Sequence, residues 1–161
     1  MARGSVEGAA LRYTAPWMLG YRKVLVLLDL AEGSERVFAV ACDIAAHSNA
    51  AIVALHVVEY VPAEPMGESL MPTQIDIDIG LSERVRPLLE DMVKRCGRAN
   101  SSARVEIGNT KAQILAVADE EKPDLIVLGS RERHGLAVLV NFTEDTVLHA
   151  AHCDMLAVRL S

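Results

Sequence analysis

Apolar runs and stripes divide the chain into alternating elements. Lys23-Val24-Leu25-Val26-Leu27-Leu28-Asp29 is a continuous apolar run closing on a carboxylate, the pattern of a strand buried on both faces. Gly33-Ser34 then opens a helical stretch. In it Val37, Val40, Ala41, Ile44 and Ala45 recur at helical spacing and form one apolar stripe. Residues 51–58 read as a second buried strand. Residues 60–80, broken by Pro62, Pro65, Gly67, Pro72 and Gly80, predict a long loop. A second helix carries Leu81, Val85, Leu88, Leu89, Met92, Val93 and Cys96 on one side. Pro87 inside it predicts a kink, or a start nearer 84–86. Residues 103–107 form a short third strand. Asn109 caps a third helix bearing Ile114, Leu115, Val117 and Ala118, and Pro123 punctuates its end. Residues 124–129 predict a fourth strand, 130–140 a loop, 141–151 a fourth helix and 154–160 a fifth strand.

Strands alternating with helices demand a parallel sheet with right-handed crossovers and helices on both faces. Ligands in such sheets bind outside the carboxyl ends of the strands, at the switch point of strand order. Here those ends carry Asp29, Val57 and Gly129.

Composition narrows the function classes. The chain has 161 residues, 51% of them apolar, enough for one domain with a sizeable core. A net charge of −6 argues against nucleic acid and anionic membrane as partners, since both need a basic footprint. No stretch approaches the ~20 apolar residues that span a bilayer. Residues 1–20 read as a partly disordered extension without a secretory signal, with Trp17 docking on the domain or a partner; residues 21–161 form the domain. The cysteines, at 42, 96 and 153, are odd in number, far apart and without a CxxC pair. They predict reduced thiols in a cytosolic compartment, with Cys42 and Cys96 inert on helix core faces. His149, His152 and Cys153 cluster but lack a fourth ligand, so no metal is expected. His56, inside an apolar strand, is expected to be a hydrogen-bonded core residue. Glu120 and Glu121 are expected to be solvated.

Four segments together resemble the universal stress protein family, of the UspA type. They are Lys23-Val24-Leu25-Val26 closing on Asp29, Leu55-His56-Val57, Asp124-Leu125-Ile126-Val127-Leu128-Gly129-Ser130 and Cys153-Asp154-Met155-Leu156-Ala157-Val158. The resemblance covers residues 21–160. It implies a three-layer, flavodoxin-like α/β fold, akin to adenine-nucleotide hydrolases, with five parallel strands in the order 3-2-1-4-5. It also implies a cytoplasmic homodimer induced by stress and paired through the last strand: Met155, Leu156, Ala157, Val158, Arg159 and Leu160.

Members of the family that bind ATP carry Gly, two residues, Gly, nine residues, Gly and then Ser or Thr after the fourth strand. Bare backbone there closes on phosphate oxygens at a helix start. Carried onto this sequence, a nucleotide site would involve Leu28, Asp29, Val57, Leu128, Gly129, Arg131, Arg133, Gly135, Asn141 and Thr143, with ATP or AMP and magnesium as ligand. The motif is degenerate. Gly129 is kept, the second glycine falls on Glu132, and the third on Phe142 or Asn141. Gly135 is not a motif position, and Ala31 stands where binders often have Ser.

Arg131 and Arg133 against Glu132, Glu144 and Asp145 leave the loop and helix start at −1. A carboxylate ~4 Å from a phosphate charge costs about 4 kcal/mol at an effective dielectric of 20. Asn141-Phe142-Thr143-Glu144 also has the spacing of a capping box, which satisfies the helix start without a ligand. These features predict a non-enzymatic dimer without cofactor, acting through a protein partner. The alternative is an adenine-nucleotide switch with weak or no ATPase activity, resting on Asp29, Val57, Gly129 and the two arginines. A third reading, a carrier of a small apolar ligand, rests on the 60–80 loop.

Overall fold

The computed structural model describes residues 20–59, 74–131 and 150–160. The elements run β1 (Lys23–Leu27), α1 (Ser34–Ser48), β2 (Ala51–Glu59), α2 (Gln74–Cys96), β3 (Ser102–Gly108), α3 (Thr110–Glu121), β4 (Leu125–Arg131) and β5 (Asp154–Leu160). All strand pairs are parallel, and the order across the sheet is β3-β2-β1-β4-β5. The fourth helix expected over 141–151 and the extension expected over 1–20 fall almost wholly outside the described residues.

The apolar runs are continuous because both faces of the sheet are covered. Val24, Val26, Ile52, Ala54 and Val127 turn to one face, where Val37, Phe38, Ala41 and Ala45 of α1 and Leu89, Met92 and Val93 of α2 pack on them. Leu25, Val53, Leu55, Ile126 and Leu128 turn to the other, against Ile114 and Val117 of α3. Alternation along each strand thus buries successive side chains in two separate layers. Asn109 caps α3 as the sequence predicts, its Oδ1 accepting from the Ala112 N–H at 3.1 Å.

α2 departs from expectation at its start. It begins at Gln74, inside the stretch read as a loop, and runs through Pro87 without ending there. Proline removes one backbone donor and crowds the preceding turn, yet the helix continues because the turns after it are anchored by Leu89, Met92 and Val93. The stripe that faces the core is Val85, Leu89, Met92, Val93 and Cys96. Leu88, placed on that side by the sequence reading, is off the stripe and 60% exposed, and Leu81 is 43% exposed.

The cysteine expectation is overturned. Cys42 of α1 and Cys96 of α2 form a disulfide, with their Cα atoms 5.9 Å apart. They do lie on inward-turning helix faces, but those faces meet each other on the same side of the sheet. A 54-residue separation hides that meeting from sequence spacing. Closing a span of that length removes about 4 kcal/mol of unfolded-chain entropy in the simplest account.

The amino ends of the strands are fastened by charge. The Asp124 carboxylate accepts from the backbone N–H groups of Arg22 at 2.7 Å and Lys23 at 2.9 Å. In return the Asp124 N–H donates to the Lys23 carbonyl at 2.9 Å. Glu120 is solvated as expected, its side chain 63% exposed, whereas Glu121 is held at 25%. Lys23 Nζ donates to Glu121 at 2.9 Å, and Arg104 reaches Glu120 at 2.8 Å, Glu121 at 3.3 Å and Glu106 at 2.7 Å. The hydrogen bond from Lys23 holds the Glu121 carboxyl below its ordinary range against the opposing effect of burial. Burial would raise Asp124, but the two backbone donors outweigh it and hold that carboxyl low as well.

Candidate functional site

β1 lies between β2 and β4, and the chain leaves it in one direction for β2 and returns to its other side with β4. The carboxyl ends of these three strands therefore form the switch-point crevice. Leu28 and Leu128 are buried there, Val57 is half-buried against the α3-side core, and Asp29 is exposed. The sequence-predicted residues on these strands thus converge as expected. Arg131 closes β4, opposite Leu160 of β5. Arg133, Gly135, Asn141 and Thr143 lie outside the described residues.

Local hydrogen bonds organise the crevice floor. β1 ends at Leu27, although the Leu28 N–H still donates to the Leu55 carbonyl at 2.9 Å. His56 Nδ1 lies 2.7 Å from the Leu28 carbonyl oxygen. A carbonyl can only accept, so Nδ1 carries the proton and holds the imidazole to the end of β1. His56 is therefore hydrogen-bonded as the sequence predicts, but it is half-buried and not a core residue. Leu30 then takes a positive φ of 57°, uncommon for a bulky side chain. The turn brings the Ala31 N–H to Asp29 Oδ1 at 3.0 Å. The same oxygen accepts from Ser34 Oγ at 2.6 Å, and Ser34 is buried at the start of α1.

Asp29, which the family resemblance places in a nucleotide site, is thus bound into the β1–α1 turn. The start of α1 is also largely self-satisfied. Ser34 N–H donates to the Ala31 carbonyl at 3.1 Å and Arg36 N–H to the Gly33 carbonyl at 3.0 Å. Glu35 in the first turn complements the helix dipole.

Gly129 acquires a second explanation. A Cβ placed on it would stand 2.9 Å from Leu160 Cδ1 and 3.1 Å from Val37 Cγ2. A Cβ on Gly33, whose φ is 100°, would stand 2.9 Å from Leu160 Cδ1. Leu160, from the end of the edge strand, fills the space between α1 and β4. Both glycines clear that space. Sequence reasoning named Leu160 only as an interface residue and Gly33-Ser34 only as a helix start, and missed this packing and the Ser34 bond to Asp29. The signal that was available is small side chains at 33, 34 and 129 facing a large one at 160.

β5 was expected to pair chains across a dimer, and it is an edge of the sheet. Its side chains do not all face outward, however. Val158 is only 7% exposed and packs, with Leu156 and Leu160, into the α1–α2 side of the core; Met155 packs toward α3. Asp154, Ala157 and Arg159 are the exposed positions. Substituting Val158 would therefore damage the core before it tested any interface.

A cavity of about 320 Å³ lies at the opposite end of the sheet, lined by Leu115, Ala118, Pro123, Ala151, His152 and Cys153. Burial, with Asp154 and Asp124 nearby, pushes the Cys153 thiol up. Among the described residues no three His, Cys, Asp or Glu side chains gather where they could hold a metal ion.

The family model described as the universal stress protein family matches residues 20–159. The chain belongs to this family. Universal stress protein A homolog 2 of Coxiella burnetii is 31% identical over 144 residues, which are 89% of this chain and 98% of that one. Among solved structures, UspA of Lactobacillus plantarum matches with a TM-score of 0.71 at 23% identity, covering 86% of this universal stress protein and 98% of its own chain. A universal stress protein in complex with cAMP matches with a TM-score of 0.67 at 25% identity, covering 88% and 99%. No helix among the described residues is long and apolar enough to cross a membrane.

Proposed function

We propose that this universal stress protein is a non-catalytic, cytoplasmic stress-response protein that works as a homodimer through a protein partner. In this reading its crevice does not hold a triphosphate. The supporting observation is the engagement of Asp29, whose Oδ1 accepts from both Ser34 Oγ and the Ala31 N–H. The carboxylate that the resemblance places in the nucleotide site here organises a turn. The replacement of two motif glycines by Glu132 and by Phe142 or Asn141 removes bare backbone from the place where a phosphate tail would lie. Calorimetric titration of the full chain with millimolar ATP and magnesium is expected to give no saturable heat. Micromolar binding that Asp29→Ala abolishes would overturn the proposal.

A second reading is kept by one observation, the relative at 25% identity that was solved with cAMP. A mononucleotide needs no cradle for β- and γ-phosphates, so a crevice of this form is compatible with AMP or cAMP. Parallel titration with AMP, cAMP and ATP separates the readings. Heat from the two mononucleotides alone would favour a nucleotide-sensing protein. For the dimer, Ala157→Asp on the exposed side of β5 is expected to weaken self-association at least tenfold. Unchanged sedimentation would reject pairing through this strand.

A further inference from the structure

We infer that Cys42 and Cys96 form a reversible thiol–disulfide latch that fastens the end of α2 to α1. The bond joins two helices lying side by side on one face of the sheet. Both cysteines are half-buried rather than sealed in the core, so a small thiol or disulfide can approach them. Cys153 is also half-buried, but it has no cysteine partner. Exchange within the chain therefore falls to the Cys42–Cys96 pair.

α2 is the element such a latch can act on. Pro87 removes one backbone donor from its hydrogen-bond ladder, and the turns from 88 to 96 follow that gap in the same helix. Those turns are held by Leu89, Met92 and Val93 in the core and by an exposed ion pair from Arg95 to Glu35 at 2.9 Å. Exposed pairs contribute little, so the covalent link is the strong tie between the helices. Closure transfers two electrons. The Cys42 and Cys96 thiols lose two electrons and two protons, and a low-molecular-weight disulfide takes them up to become two thiols. In reverse, a small thiolate attacks one sulfur to form a mixed disulfide. A second small thiolate then displaces the remaining cysteine. In a reducing compartment the latch is open at rest and closes under oxidant. The inference is independent of what the crevice binds.

The test uses the Cys153→Ser chain, which keeps only Cys42 and Cys96, equilibrated with glutathione at varied ratios of oxidised to reduced form. Closure is read as a 2 Da mass loss on alkylation-free samples, expressed per ~17 kDa chain by mass spectrometry of the pair's peptides. Tryptic cleavage after Lys94 and Arg95 reads the latch's effect on α2. The expected result is pairing in oxidised glutathione, reopening in reduced glutathione, and cleavage at least fivefold faster when open. Cys42→Ser in the same background should cleave at the open rate under both conditions. Differential alkylation and peptide mapping of the unsubstituted chain repeat the measurement without Cys153→Ser. Failure to pair, a pair that stays closed in excess reduced glutathione, or equal cleavage in both states would each overturn the latch.

Discussion

The two ends of the sheet are built from different materials. At the amino ends, Arg22, Lys23, Glu121 and Asp124 form a connected set of charge pairs and backbone contacts, which Arg104 from the middle of β3 extends to Glu120 and Glu106. At the carboxyl ends, where ligands of such folds bind, the contacts are small and local: Asp29 with Ser34, His56 with Leu28, and Leu160 between two glycines. Electrostatic pairing joins the strands at the end away from the switch-point crevice. Shape and short hydrogen bonds set the crevice. The contrast means that a damaged amino end should cost stability alone, whereas a damaged carboxyl end should also change what the crevice admits.

Substitutions can break or sharpen that contrast. The largest effect is expected from Gly33→Ala, which combines a positive φ with a close approach to Leu160. It should lower stability by about 2–3 kcal/mol in urea denaturation. Gly97→Ala is the control: its φ is also positive, but nothing lies within 4 Å, so about 1 kcal/mol is expected. At the other end, Asp124→Ala leaves the Arg22 and Lys23 N–H groups without their acceptor. About 2 kcal/mol is expected there, with no change in ligand titrations.

Ser34→Ala should cost about 1 kcal/mol by releasing Asp29 Oδ1 from one donor. A cost near zero would show that Asp29 is not a turn residue and would favour the nucleotide reading. The smallest effect is expected from pH. Glu121 and Asp124 are held below their ordinary pKa values. The stability they add is therefore full above the unfolded carboxylate pKa of about 4 and is lost as pH falls through their lower folded values. Thermal melts from pH 6 to pH 2.5 should show this loss, reduced in Glu121→Gln. A melting temperature as acid-sensitive in Glu121→Gln as in the parent chain would remove Glu121 from the account.

Much of this architecture was legible in the sequence because its elements are locally determined. β5 matches its expected span, and β3 extends one residue beyond expectation at each end. Asn109 caps the helix it was expected to cap. Strands buried on both faces announce themselves as apolar runs, and parallel order follows from alternation. What stayed hidden depended on partners far along the chain. The Arg104 contacts with Glu120 and Glu121, the Cys42–Cys96 bond and the seat of Leu160 are all meetings between separate elements. The start of α2 was hidden for another reason. Ile75-Asp76-Ile77-Asp78-Ile79 alternates with period two, which is not a helical pattern.

The bond that the Lys23 N–H donates to Asp124 Oδ2 joins residues 101 positions apart, and it marks how β1 acquires its second neighbour. Until β4 arrives, any partly assembled chain displays β1 as a bare, apolar border open to a neighbouring molecule. Pairings of such long separation form slowly, because loop closure precedes their reward. Aggregation during refolding should therefore track the arrival of β4, and dilution should suppress it.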